Sequence, residues 1–143
     1  LAVIDAFNVG NFSNVNPALP LDLSVPFSEW NDKLRSMAGE VGLAFCCNVT
    51  HITPWSVTTG LFDGVGKLLK ANGFFALYGP FADNGTYSSD GNRRFNLSLR
   101  QRDPAWGLRD LNEIIPKAES VGLKLLNRID MPANNLLLVF GKQ

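Results

Sequence analysis

Seven consecutive residues, Val41 to Cys47, are apolar at every position. A strand with one wet face alternates apolar and polar residues, so an unbroken run of this length predicts a strand buried on both faces. Such strands lie in the middle of parallel sheets covered by helices. A second run, Phe74-Phe75-Ala76-Leu77-Tyr78, is closed by Gly79-Pro80 and reads the same way. Between them, Thr53-Pro54 offers a helix start, Leu61, Val65, Leu68 and Leu69 share one helical face, and Asn72-Gly73 offers a stop. The chain is therefore expected to be α/β.

The remaining segments extend this pattern. Residues 1–9 read as a helix tail ending near Gly10, and Leu19–Leu23 is short enough for a strand. Trp30, Leu34 and Met37 lie at helical spacing within Phe27–Met37. A long stretch from Phe81 to Arg109 is rich in Asn, Gly, Ser and Arg, with one or two helical turns expected near Phe95–Arg102. Loops of that length tend to be lids or binding surfaces. Asp110 or Asn112 opens a further helix that ends at Gly122, and two strands follow, Leu123–Ile129 and Leu136–Phe140. The link between them is too short to hold a crossover helix, so that pair is expected to be antiparallel.

Composition excludes several function classes. Formal charge is zero, which gives no general attraction to nucleic acid or anionic lipid. No apolar run reaches the roughly 18 residues of a membrane span, and no His or Cys pair has metal-ligand spacing. The two cysteines, Cys46 and Cys47, are adjacent, cannot staple distant segments, and are assigned to the core. That favours an intracellular setting, in the cytosol or an organelle matrix. Four Asn-x-Ser/Thr triplets, at Asn11, Asn48, Asn84 and Asn96, are read as chance.

Particular strings carry a resemblance. Tyr78-Gly79-Pro80-Phe81, Asn84-Gly85, Arg102 to Asp110 with its Trp106-Gly107-Leu108-Arg109-Asp110 core, and Asp130-Met131-Pro132-Ala133-Asn134-Asn135 closely resemble the methyltransferase-like protein 26 family. Leu21-Asp22 and Asn48 to Pro54 match as well. That family is a branch of the S-adenosylmethionine-dependent methyltransferases. The resemblance implies a Rossmann-like, doubly wound sheet finished by an antiparallel hairpin, with residues 1–143 forming the carboxy-terminal part of one domain, in which the long 81–109 stretch is by its length a candidate lid. It begins partway through the helix after the family's second strand, so the first two strands, the glycine-rich turn and the ribose-binding acid are not among these residues. The strand near Leu21 and the strand at Val41–Cys47 would then flank a gap. An open strand edge invites association, so another chain or segment is expected to complete the sheet.

Ligands of open α/β sheets bind beyond the carboxyl ends of the strands. By resemblance, Asp22 and Leu23 follow the adenine-binding strand; the plainer reading is an Asp that caps its own turn. Asn48 leaves the buried strand where a methyl donor would sit, and either holds the cofactor's amino-acid end, accepts from a substrate amine, or bonds local backbone. His51, the only histidine, has the ordinary pKa of a general base near neutral pH, or is structural. Tyr78 presents a phenol at the pocket mouth or merely ends a strand. Asn84, Trp106 and Arg109 are candidates for contact with substrate, with Arg109 expected to pair with an acid. The function implied is methyl transfer from S-adenosylmethionine, the cofactor binding only with the missing segment present. The alternative is a non-catalytic subunit built on the same fold.

Overall fold

The computed structural model describes residues 1–8 and 11–143. Helix α1 spans Ala2–Asn8; the expected stop at Gly10 lies outside the described residues. Strand β1 (Val41–Cys47) is followed by α3 (Trp55–Leu68), β2 (Leu69–Gly79), α5 (Leu111–Ser120), β6 (Leu123–Met131) and β7 (Asn135–Lys142). These build a four-stranded sheet of order β1-β2-β7-β6. β1 runs parallel to β2, and β7 lies antiparallel between β2 and β6. The terminal antiparallel pair is thus as expected, inserted so that the carboxyl ends of β1, β2 and β6 share one edge.

Helices α3 and α5 cover one face. Phe62 of α3 meets Phe75 of β2 and Phe140 of β7 edge-on at 5.5 and 5.7 Å, and the two strand rings stack at 6.0 Å. Leu61 and Val65 of α3, Ile114 and Ala118 of α5, and Leu77, Leu123 and Leu138 of the sheet complete this core. Lys117 of α5 also reaches Asp63 of α3 at 2.6 Å. The segment before β1 packs across α3 at two glycines one turn apart. A Cβ on Gly60 would lie 1.8 Å from the Leu23 carbonyl oxygen, and one on Gly64 would lie 1.9 Å from the Trp30 ring. Only hydrogen fits at either place.

Several expectations are corrected. Leu19–Leu23 forms no strand, because extended chain becomes a strand only when a neighbour takes its backbone hydrogen bonds. Phe27–Met37 is not one helix. A 3-10 turn at Phe27–Glu29 buries Trp30, and Asn31 then caps a separate short helix, α2 (Asp32–Arg35), by accepting from the Lys33 amide at 2.9 Å. β1 is not buried on both faces: it is an edge strand paired only with β2, and Leu43 and Phe45 are 63% and 65% exposed. Cys47 shares that open face, so only Cys46 belongs to the core. The stretch 81–109 is more ordered than its composition implies. It holds β3 (Phe81–Asp83), β4 (Thr86–Tyr87), a 13-residue helix α4 (Asp90–Arg102) and β5 (Arg109–Asp110), the strands forming a small sheet of order β4-β3-β5. In addition, α3 stops at Leu68 rather than Asn72, and β2 begins at once, absorbing Asn72 at φ 61° in an irregular stretch opposite Val41–Leu43.

Candidate active site at the strand ends

β1 and β2 end side by side, and the chain leaving β1 turns sharply there. Asn48 adopts φ 57°, a conformation Asn tolerates, and its amide donates to the Tyr78 carbonyl at 2.9 Å. The turn leads into a 3-10 segment, Thr50–Ile52, which folds His51 back over the strand ends. Only 5% of His51 is exposed, yet its Nδ1 has no hydrogen-bond partner among the described residues. Buried polar atoms are rarely left unpaired. The Cβ position above Gly79 is 3.6 Å from both this Nδ1 and the Asn48 Oδ1. Two polar side chains therefore converge on one point over bare backbone. Tyr78, the preceding residue, is half-buried.

Burial first, and then the positive charge of Arg109, push the His51 pKa below its ordinary 6.5. The imidazole is neutral in neutral solution and able to accept a proton. Burial, followed by the neighbouring Cys47, drives the Cys46 thiol the other way, to about 11, so it is inert as a nucleophile.

The loop before α5 holds the His51 turn in place. The Gly107 amide donates to the His51 carbonyl at 3.0 Å. Arg109, buried, donates through Nε to the Thr50 carbonyl at 2.9 Å and through Nη2 to the carbonyls of Thr53 and Ala105. Its guanidinium also lies over the Trp55 ring, 5.7 Å from the centroid. The expected acid partner is replaced by main-chain oxygens, so the fork of Arg109 serves as a clamp. Phe95 of α4 meets the His51 ring edge-on at 5.6 Å. Asn96, buried beside it, accepts from the Leu108 amide at 3.0 Å.

The structure thus brings the side chains of Asn48 and His51 together, with Arg109 behind them. Tyr78 joins them only through its carbonyl, its side chain alternating with Gly79 to the other face of the strand. Asp22 and Leu23 lie alongside α3: the Asp22 carboxylate accepts from the Ser24 amide at 2.8 Å and its hydroxyl at 2.6 Å, which lowers its pKa, and Leu23 packs on the core. Asn84 sits in the β3–β4 turn, where its side chain bonds Asp83 and Asn112, and where Asp110 accepts from the Asn84 and Gly85 amides. Trp106 is half-buried in the clamp loop. Sequence reasoning missed Phe95 and Asn96 as site neighbours, because α4 contributes them across a long sequence gap. Among the described residues, no group of three or more His, Cys, Asp or Glu is placed to hold a metal ion, and no helix is long and apolar enough to cross a membrane.

A parallel α/β sheet finished by an inserted antiparallel strand, with polar side chains gathered at its carboxyl edge, defines the methyltransferase fold class. Within it, the chain belongs to the family described as "Protein of unknown function (DUF938)", whose sequence profile matches residues 2–142. An O-methyltransferase family protein from Burkholderia thailandensis superposes with a TM-score of 0.75 at 11% identity, over 99% of this chain and 40% of that one. Human N-acetylserotonin methyltransferase in complex with SAM gives 0.64 at 13% identity, over 80% and 33%. A protein described as a pericyclic reaction enzyme gives 0.66 at 11% identity, over 92% and 32%. The chain spans well under half the length of these structures. At such identities the likeness concerns the fold, and one fold hosts several chemistries.

Proposed function

We propose that this chain is the carboxy-terminal part of an S-adenosylmethionine-dependent methyltransferase domain, with 81–109 as its substrate-facing insert and His51 as the proton acceptor. The observation that carries this is the convergence of the orphaned His51 Nδ1 and the Asn48 amide on one point above Gly79. The likeness of Trp106–Asp110 and Met131–Asn135 to methyltransferase-like protein 26 supports the same reading.

The residues present fit the reacting end of the cofactor: a neutral imidazole, an amide and backbone without a side chain at Gly79, on the carboxyl edge of the sheet. When bound, S-adenosylmethionine supplies an electrophilic methyl group, whose bond to sulfur breaks with the electron pair left on sulfur as a bond to the acceptor's oxygen or nitrogen forms. Asn48 orients the acceptor or the cofactor's amino-acid end, and the Tyr78 carbonyl holds the Asn48 backbone amide in place. His51 Nδ1 takes the proton the acceptor loses. Much of the rate would come from holding the nucleophile in line, with proton removal adding about 10²–10⁴-fold.

The free edge of β1 and the exposed apolar side chains of Leu43, Phe45 and Phe74 support completion of the sheet by a further segment or another chain. Two unpaired cysteines suit an intracellular setting. Calorimetric titration of the intact protein with S-adenosylmethionine tests the assignment. Binding is expected, and His51→Gln should retain it while losing methyl transfer. Absence of binding would leave the alternative, a non-catalytic subunit on this fold.

A further inference from the structure

Two strands along from Gly79, a cavity of about 400 Å³ opens at the same carboxyl edge of the sheet. It lies between the small sheet of the 81–109 stretch and the β6–β7 turn. Buried Phe81 and Leu136 form part of its lining, Tyr87 and Met131 add apolar surface, and Asp130 stands at its β6 side. Arg128 is also there, but its charge is answered by Asp83 at 2.5 Å. Asp130 has no ion-pair partner among the described residues. The lining therefore carries one carboxylate in excess, beside apolar walls.

The cavity is built, not incidental. Ala133 and Asn134 are consecutive left-handed residues, at φ 60° and φ 57°, a conformation that costs a non-glycine residue about 1–2 kcal/mol. Strain of this kind persists where the surroundings over-determine it, and it gathers at ligand sites. Here the buried Asn92 of α4 enforces it, donating to the Asn134 carbonyl at 3.0 Å and to the Ser88 hydroxyl at 3.1 Å. One side chain thus fixes both rims of the cavity.

Register sets the distance to the active site. Gly79 pairs with Leu136, which pairs with Asp130. Two inter-strand spacings separate Gly79 from Asp130, roughly 10 Å between backbones. We propose that this cavity binds a small amine with an apolar body, its ammonium on Asp130. That such an amine is the methyl acceptor, reaching past Leu136 to present its nucleophile above Gly79, rests on the methyltransferase reading.

The test uses the intact protein and three isosteric probes: tyramine (cationic), tyrosol (neutral) and 4-hydroxyphenylacetate (anionic). Calorimetry should rank tyramine first, about fivefold over tyrosol, the upper range for an ion pair on an exposed carboxylate such as Asp130, with the acid weakest. Raising the salt concentration of the unaltered protein should narrow that gap. Asp130→Asn should lower tyramine affinity to that of tyrosol and leave tyrosol binding unchanged, which also shows that the variant is folded. Equal affinity for the three, preference for the acid, no binding of any, or a ranking indifferent to both salt and Asp130→Asn overturns the proposal. Loss of S-adenosylmethionine binding with the amine preference intact would remove the methyltransferase reading alone. Cofactor binding without amine preference would remove only this pocket.

Discussion

His51 is buried with its Nδ1 unpaired among the described residues, and that burial makes its protonation visible in stability. Its folded-state pKa lies below 6.5, so as pH falls through 6.5 the unfolded chain takes up the proton first. Stability should therefore decline from pH 6.5 down to the folded pKa and level off beneath it, with no contribution from this group above 6.5. Urea midpoints taken at several pH values check this, and His51→Gln should flatten the slope in that window. Ala133 offers an opposite case, a residue whose native conformation opposes its own side chain. Ala133→Gly relieves left-handed strain of about 1–2 kcal/mol but gives the unfolded chain more freedom, worth about 0.4–1 kcal/mol. A net gain of up to about 1.5 kcal/mol is expected by denaturant titration.

Between elements, the decisive contacts are backbone approaches and one clamp. Gly60 and Gly64 let the Leu23 carbonyl and the Trp30 ring rest on α3 without any intervening side chain. Overpacking of this kind typically costs about 1–3 kcal/mol, and contacts as short as 1.8 Å leave little room to adjust. Gly60→Ala and Gly64→Ala should each lower stability by at least about 2 kcal/mol, read from denaturation midpoints, with the Trp30 fluorescence changing in the second. The clamp is the fork of Arg109 on the carbonyls of Thr50, Thr53 and Ala105. Arg109→Lys keeps the charge but cannot reach all three oxygens, and should cost about 1–3 kcal/mol. On the proposed methyl transfer, the retained positive charge beside His51 should keep the acid limb of the rate profile in place while turnover falls.

For the molecule as a whole, the defining feature is a sheet whose parallel half stops at an uncovered edge strand. β1 offers an unpaired edge with Leu43 and Phe45 exposed beside it. These residues in isolation should self-associate as concentration rises, and Phe45→Lys should weaken that association in sedimentation measurements. Much of this architecture was legible in the residues. The two apolar runs, the helix between them, Asp110 as a cap and the short link before the last strand reflect local rules of pattern and reach, and each element appeared in the folded chain. Leu19–Leu23 failed for want of a neighbour, and Val41–Cys47 kept its strand but not its expected burial, since pattern records what a strand is suited to and not what lies beside it. The chemistry divides in the same way. The placing of Asn48 and His51 just past the end of one strand, and of Tyr78 near the end of the next, was legible because strand ends fall where apolar runs stop. That Gly79 faces both polar groups, that Arg109 grips carbonyls instead of an acid, and that Asn92 strains a turn beyond β6 depended on contacts between residues far apart in the chain. The sequence by itself determined which segments become strands and helices, because hydrophobic period and capping act within a few residues. Only the tertiary structure decided which side chains meet, because those distances arise from packing between elements, to which local periodicity carries no reference.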